Sequence, residues 1–179
     1  KATDLTVGGL VAINPSRPCG TCPMCRSGRV NLCRNNGFLG SASRFPHAQG
    51  MFSEFFVVKA AQCIPVDASV DAAGLAMAEP LSVALHAVNR AGSVEGKDVL
   101  VVGARTIGLL IALALRLKGA ASVAVTDLSD YPLDVARRCG IDQCVRVGPH
   151  ADRPDFTAEM RDRFDVAFEV SGSEPGLAD

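Results

Sequence analysis

The chain has 179 residues, 48% of them apolar by composition, and 18 Lys and Arg against 19 Asp and Glu leave a formal net charge of −1. That length and apolar share suit one complete core, or one core and part of a second, and exclude a disordered polymer. No run of like charge is present to hold a nucleic-acid backbone or an anionic membrane, so small neutral or singly charged partners are expected.

The opening residues, Lys1 to Gly8, read as the middle of a domain. Leu5 to Ile13 is β-like, broken at Gly8-Gly9, and Pro15 starts a Pro-, Gly-, Cys- and Asn-rich loop reaching about Gly40. Met51 to Val58 reads as a strand running out through Ile64-Pro65. Ser69 to Asn89 is expected to be helical in two pieces separated at Glu79-Pro80, since proline is tolerated in a first helical turn and hardly later.

After a Gly92 to Gly96 turn the texture alternates. Val99 to Val102 is an apolar run of the buried parallel kind. Ile107, Leu110, Ile111, Ala114 and Leu115 recur at helical spacing, and Val123 to Val125 is the next strand. A helix from Leu133 to Cys139, a strand at Cys144 to Val147, a polar helix near Phe156 to Arg163 and a strand at Val166 to Val170 continue the pattern. The expected class is α/β with a doubly wound parallel sheet. The longest apolar stretches, such as Ile107 to Leu117, fall short of the roughly 20 residues that cross a bilayer, so a soluble cytoplasmic protein is expected.

The loop holds Cys19, Cys22, Cys25 and Cys33, spaced C-x2-C-x2-C-x7-C. Two-residue gaps let a tight turn aim successive thiolates at one point, and the seven-residue return closes a tetrahedron. This is the pattern of a structural Zn2+ with no open position. Bacterial iron–sulfur spacing closes after three residues and then proline, whereas Cys33 precedes Arg34. Cys63, Cys139 and Cys144 stand singly and read as small buried apolar residues.

A second motif follows the strand at 99–102: Gly103-Ala-Arg-Thr-Ile-Gly108, leading straight into a helix. The first glycine permits a tight turn and the last permits close helix–strand packing. Free backbone N–H groups at the helix start then face a pyrophosphate, which makes Gly103, Thr106, Ile107 and Gly108 the candidate cofactor-binding residues. Asp127, nineteen residues beyond Gly108, stands where a carboxylate accepts hydrogen bonds from an adenosine ribose and repels a 2′-phosphate. The middle glycine of the motif is replaced by Arg105, whose side chain either pairs with the phosphates or crowds them.

Asn14-Pro-Ser-Arg-Pro-Cys-Gly-Thr-Cys-Pro-Met-Cys25 and Ala78-Glu79-Pro80-Leu81 resemble the zinc-containing medium-chain alcohol and polyol dehydrogenases, in their sorbitol-dehydrogenase branch. Phe38 to Gly50 and Phe168 to Gly172 resemble the branch members that act on L-idonate. The resemblance implies a GroES-like, β-rich catalytic domain, partial here (1–80, zinc lobe 15–40), followed by the first part of a Rossmann-type NAD-binding domain (81–179). It implies two zinc ions, one structural and one catalytic. It also implies NAD with NADP not excluded, a polyol or sugar-acid substrate, and a dimer or tetramer.

By match to Ala-Glu-Pro, Glu79 is the carboxylate of the catalytic zinc site, whose Cys and His the resemblance places before Lys1. From the residues alone, a carboxylate just before a proline-started helix is explained by the helix dipole. Pro132 replaces an Arg that the family places beside the adenosine. The implied reaction is hydride transfer from a secondary alcohol, with L-idonate giving 5-ketogluconate. Sorbitol-, xylitol- or threonine-type activity, and a non-catalytic zinc-stapled module, remain as alternatives. His86 reads as a packed helix residue, His47 as a loop residue at an active-site rim, and Ser171-Gly172 as a turn at the carboxyl edge of the sheet.

Overall fold

The computed structural model describes residues 5–43, 45–148, 158, 160–174 and 176. Its contacts divide the chain into two compact units, Lys1–Leu75 and Ala76–Asp179.

The first unit is built from short pieces. β1 (Val11–Ile13) pairs antiparallel with β4 (Cys63–Pro65), in register Val11 to Pro65. Next to that ladder in sequence, the buried Gln62 donates its side-chain amide to the Asn14 carbonyl at 2.9 Å and accepts the Asn14 N–H on its own carbonyl at 2.8 Å. A two-residue ladder, β2 (Ser16–Arg17) with β3 (Gly37–Phe38), closes the base of the cysteine loop, an element the loop reading did not contain.

The strand expected at 51–58 is absent among the described residues. Phe52, Phe55 and Val57 stand exposed, and no neighbouring strand pairs with the segment. Apolar content alone does not make a strand; a ladder partner does.

α2 (Ala72–Ala76) closes the first unit, and the second opens with α3 (Ala78–Arg90). The break falls at Met77, before Glu79-Pro80 instead of at it, because Pro80 lies inside the first turn of α3, where its missing N–H costs nothing.

Four parallel strands form the sheet: β5 (Asp98–Val102), β6 (Ser122–Asp127), β7 (Gln143–Arg146) and β8 (Val166–Glu169), in spatial order β7-β6-β5-β8. The chain moves outward from β5 to β6 to β7, then returns to the other side of β5. This places a topological switch point between β5 and β8. The helices α4 (Thr106–Leu117) and α5 (Asp130–Arg138) make the first two crossovers. Of the helix expected near 156–163, residues 156, 157 and 159 lie outside the described residues, while 160–162 form a turn and 163 is irregular, so its second half is not helical.

The core of this unit joins Val99 and Val101 of β5, Val123 and Val125 of β6, Ile111 and Leu115 of α4, Leu133 of α5, and Ala84 and Val88 of α3. Ile111 and Leu115 are fully buried, each worth about 1.5–3 kcal/mol by removal from water. Expectations for four single residues are corrected. Cys139 is exposed at the end of α5, and Cys63 and Cys144 are only half-buried. His86 is exposed on α3 and not packed.

Candidate functional site

In the first unit, Pro23 at the first position starts α1 (Pro23–Arg26), with Cys22 in extended conformation just before it. Cys22 and Cys25, three apart, therefore share one face of the turn. Gly28, at φ +78°, reverses the chain into a 3-10 turn, Val30–Leu32, that ends on Cys33. The Cys33 Sγ accepts the Cys19 backbone N–H at 3.3 Å, tying the two ends of the loop together.

All four sulfurs lie within 4.8 Å of one another, with Cys22 to Cys25 at 3.6 Å and Cys22 to Cys33 at 3.9 Å. A tetrahedron of Zn–S bonds of about 2.3 Å has edges of about 3.8 Å, so the donor set fits zinc. The backbone N–H and then the hydroxyl of Thr21 hold the Cys19 thiol down at about 6, whereas desolvation, followed by the neighbouring Cys33, pushes Cys25 up to about 12. Four crowded sulfurs cannot all ionise without a cation among them.

In the second unit, the sequence-derived residues Gly103, Thr106, Ile107, Gly108 and Asp127 come together at the carboxyl end of the sheet. Gly103 takes φ +105° and donates its N–H to the Thr126 carbonyl at 2.8 Å. A Cβ there would lie 2.9 Å from the Ser171 nitrogen, and one on Gly108 would overlap the Gly103 carbonyl oxygen, so both positions need glycine. No side chain caps α4, which leaves the N–H groups at its start free for an anion. Ile107 contributes its N–H, while its side chain packs against the core. A diphosphate fits this cradle.

The Asp127 carboxylate links two turns. One oxygen accepts the Ala104 N–H at 2.9 Å and the other accepts the Ser129 N–H at 3.0 Å. Its remaining lone pairs stay available to ribose hydroxyls. Beside it runs a groove of about 690 Å³ whose wall includes Arg105, Thr106, Ser129, Tyr131 and Pro132.

Sequence reading missed Glu169. At the end of β8 its carboxylate accepts the hydroxyl and N–H of Ser171 and the N–H of Gly172, and the Ser171 hydroxyl above all holds its pKa below the usual value. Those bonds shape the turn that packs over Gly103. The one available signal was the Glu-x-Ser-Gly sequence at the end of an apolar strand.

Glu79 stands exposed in the first turn of α3. The cysteine cluster is the one metal-sized group of His, Cys, Asp or Glu side chains among the described residues, and Glu79 is not in it. His47 is exposed and meets Phe45 edge to face, with ring centres 6.0 Å apart. No helix of the described residues is long and apolar enough to cross a membrane.

Residues 1–68 match the alcohol dehydrogenase GroES-like domain. The chain is 42% identical over 171 residues to the NAD(P)+-type L-idonate 5-dehydrogenase of Escherichia coli K12, covering 96% of this chain and 49% of that protein. It is 37% identical over 160 residues to the L-threonine 3-dehydrogenase of Edwardsiella ictaluri, covering 89% of this chain and 45% of that protein. The crystal structure of Escherichia coli L-idonate 5-dehydrogenase superposes with TM-score 0.87 at 40% identity, over 96% of this chain and 49% of that one. The chain therefore spans about half the length of the curated relatives it matches.

Proposed function

The chain belongs to the zinc-type medium-chain dehydrogenase/reductase family, and from that premise we propose that its protein oxidises a secondary alcohol of a sugar acid, L-idonate to 5-ketogluconate, with NAD as hydride acceptor. The observation that carries the reading is Asp127 tied across the glycine turn at the switch point of a parallel sheet. Gly103 and Gly108 bring the backbone close to the diphosphate, the free N–H groups of 106–108 neutralise it, and Asp127 takes the ribose. When bound, the nicotinamide accepts a hydride from the alcohol carbon, and the protein contributes position and exclusion of water.

The four cysteines hold a structural Zn2+ that rigidifies a lobe in which no apolar side chain is fully buried among the described residues. Glu79 is proposed as a ligand of the catalytic zinc on the resemblance of Ala78-Glu79-Pro80-Leu81. The described residues offer one donor there and do not themselves form that site, so no step is assigned through it. The protein is proposed to be cytoplasmic and a homodimer or homotetramer, with the domains as set out from the sequence.

The likeness to threonine dehydrogenases favours a second substrate, L-threonine. The test is a panel of L-idonate, sorbitol, xylitol and L-threonine offered with NAD+ to the zinc-replete intact gene product. The expected result is the highest kcat/KM with L-idonate and 5-ketogluconate as product. Preference for L-threonine moves the reading to the second substrate, and no turnover with any of the four refutes both.

A further inference from the structure

Arg105 occupies the place where the glycine motif has its middle glycine, and it lines the groove beside the Asp127 turns. Its backbone is extended, at φ −74° and ψ −172°, a conformation that accepts a Cβ without strain. The turn therefore keeps its shape, and Arg105 forms part of the wall of the groove shared with Ser129, Tyr131 and Pro132.

The carboxylate of Asp127 fixes this arrangement. It bonds the N–H of Ala104, immediately before Arg105, and the N–H of Ser129, so the two turns that line the groove are held together at the residue that reads the ribose. Arg146, at the end of β7, and Arg105 differ in what they are bonded to. Arg146 is committed to Asp130 at 3.0 Å. Arg105 is exposed, and its guanidinium has no hydrogen-bond or ion-pair partner among the described residues.

We infer that Arg105 is a specificity-determining residue that binds the 2′-phosphate of NADP, with the Ser129 hydroxyl beside it, so that the site accepts both dinucleotides. The inference rests on the dinucleotide-site reading above. Asp127 alone disfavours a 2′-phosphate by like charge. A planar guanidinium on the adjacent wall offsets that repulsion and offers paired donors to phosphate oxygens. The diphosphate, common to both dinucleotides, lies instead over Gly103 and the axis of α4, where backbone N–H groups receive it.

Calorimetric titration of the intact, zinc-replete protein with NAD+ and with NADP+ tests this, in the unaltered protein and in Arg105→Gly and Arg105→Lys. Arg105→Gly restores the residue usual in such turns, so folding is not at stake. The expected result is that Arg105→Gly raises the Kd for NADP+ by about tenfold or more while that for NAD+ changes less than about threefold, and that Arg105→Lys recovers part of the loss. An equal loss for both dinucleotides would place the guanidinium on the diphosphate and overturn the inference. So would an unchanged NADP+ affinity, or NAD+ binding with no NADP+ binding in the unaltered protein. If neither dinucleotide binds, the proposed function itself falls.

Discussion

Replacing Gly103 by alanine attacks the point where the β8 turn and the glycine turn meet. The residue sits at φ +105°, outside the conformations open to an L side chain, at a cost of about 1–3 kcal/mol. The added methyl would also lie 2.9 Å from the Ser171 nitrogen and 3.1 Å from the Ser171 Cα and the Val170 carbonyl carbon. These are backbone atoms that cannot swing aside, and overpacking of this kind costs about 1–3 kcal/mol more. Gly96→Ala is the internal control: Gly96 has φ +70°, within the left-handed region, and nothing lies within 4 Å of its would-be Cβ. Its cost should be about 1–2 kcal/mol. Urea unfolding followed by far-UV circular dichroism gives both values, and the expected excess for Gly103→Ala is at least about 1 kcal/mol, with a loss of dinucleotide affinity that Gly96→Ala does not share. Equal losses from the two substitutions would refute the close approach of Ser171 to Gly103.

Cys22→Ser should remove one zinc per chain by elemental analysis and leave the 15–40 loop open to protease, whereas Cys63→Ser should change neither. In the metal-free lobe Cys25, raised to about 12, carries its proton at neutral pH, so zinc must displace it. Competition with a chelator should therefore show zinc affinity rising by about tenfold or more per pH unit between mildly acidic and neutral pH, and a flat profile would contradict the raised thiol. Asp127→Asn would turn an amide donor toward one of two N–H donors, at Ala104 or Ser129. It should cost about 1–3 kcal/mol in stability and weaken NAD+ binding, as read by urea unfolding and calorimetry; unchanged NAD+ affinity would remove Asp127 from the site.

What could be read from the sequence was what is local. Four cysteines within one loop, an apolar run ending in Gly103, and a carboxylate after the next run each carry their geometry in spacing, because short turns leave few ways to arrange them. The parallel sheet followed from apolar strands alternating with helical periods. What depends on partners distant in sequence could not be read. The Met51 to Val58 segment has strand composition and no strand beside it among the described residues. Glu169 gains its role only because β8 lies next to β5, a pairing between residues 99–102 and 166–169. The groove that Arg105 lines is shared with Ser129, Tyr131 and Pro132, residues more than twenty positions away that a single turn motif does not bring to view. Glu79 shows the reverse case: its resemblance is legible in sequence, and the described residues supply no second donor beside it.

Hydrogen exchange of the intact protein with and without saturating NAD+ asks most directly whether a dinucleotide occupies the carboxyl end of this sheet. Slowed exchange should concentrate in 103–109, 127–131 and 169–173, the three turns joined by Asp127 and Glu169. Unchanged exchange in those turns at saturation, or protection confined to other segments, would contradict a cofactor site built on Gly103, Gly108 and Asp127.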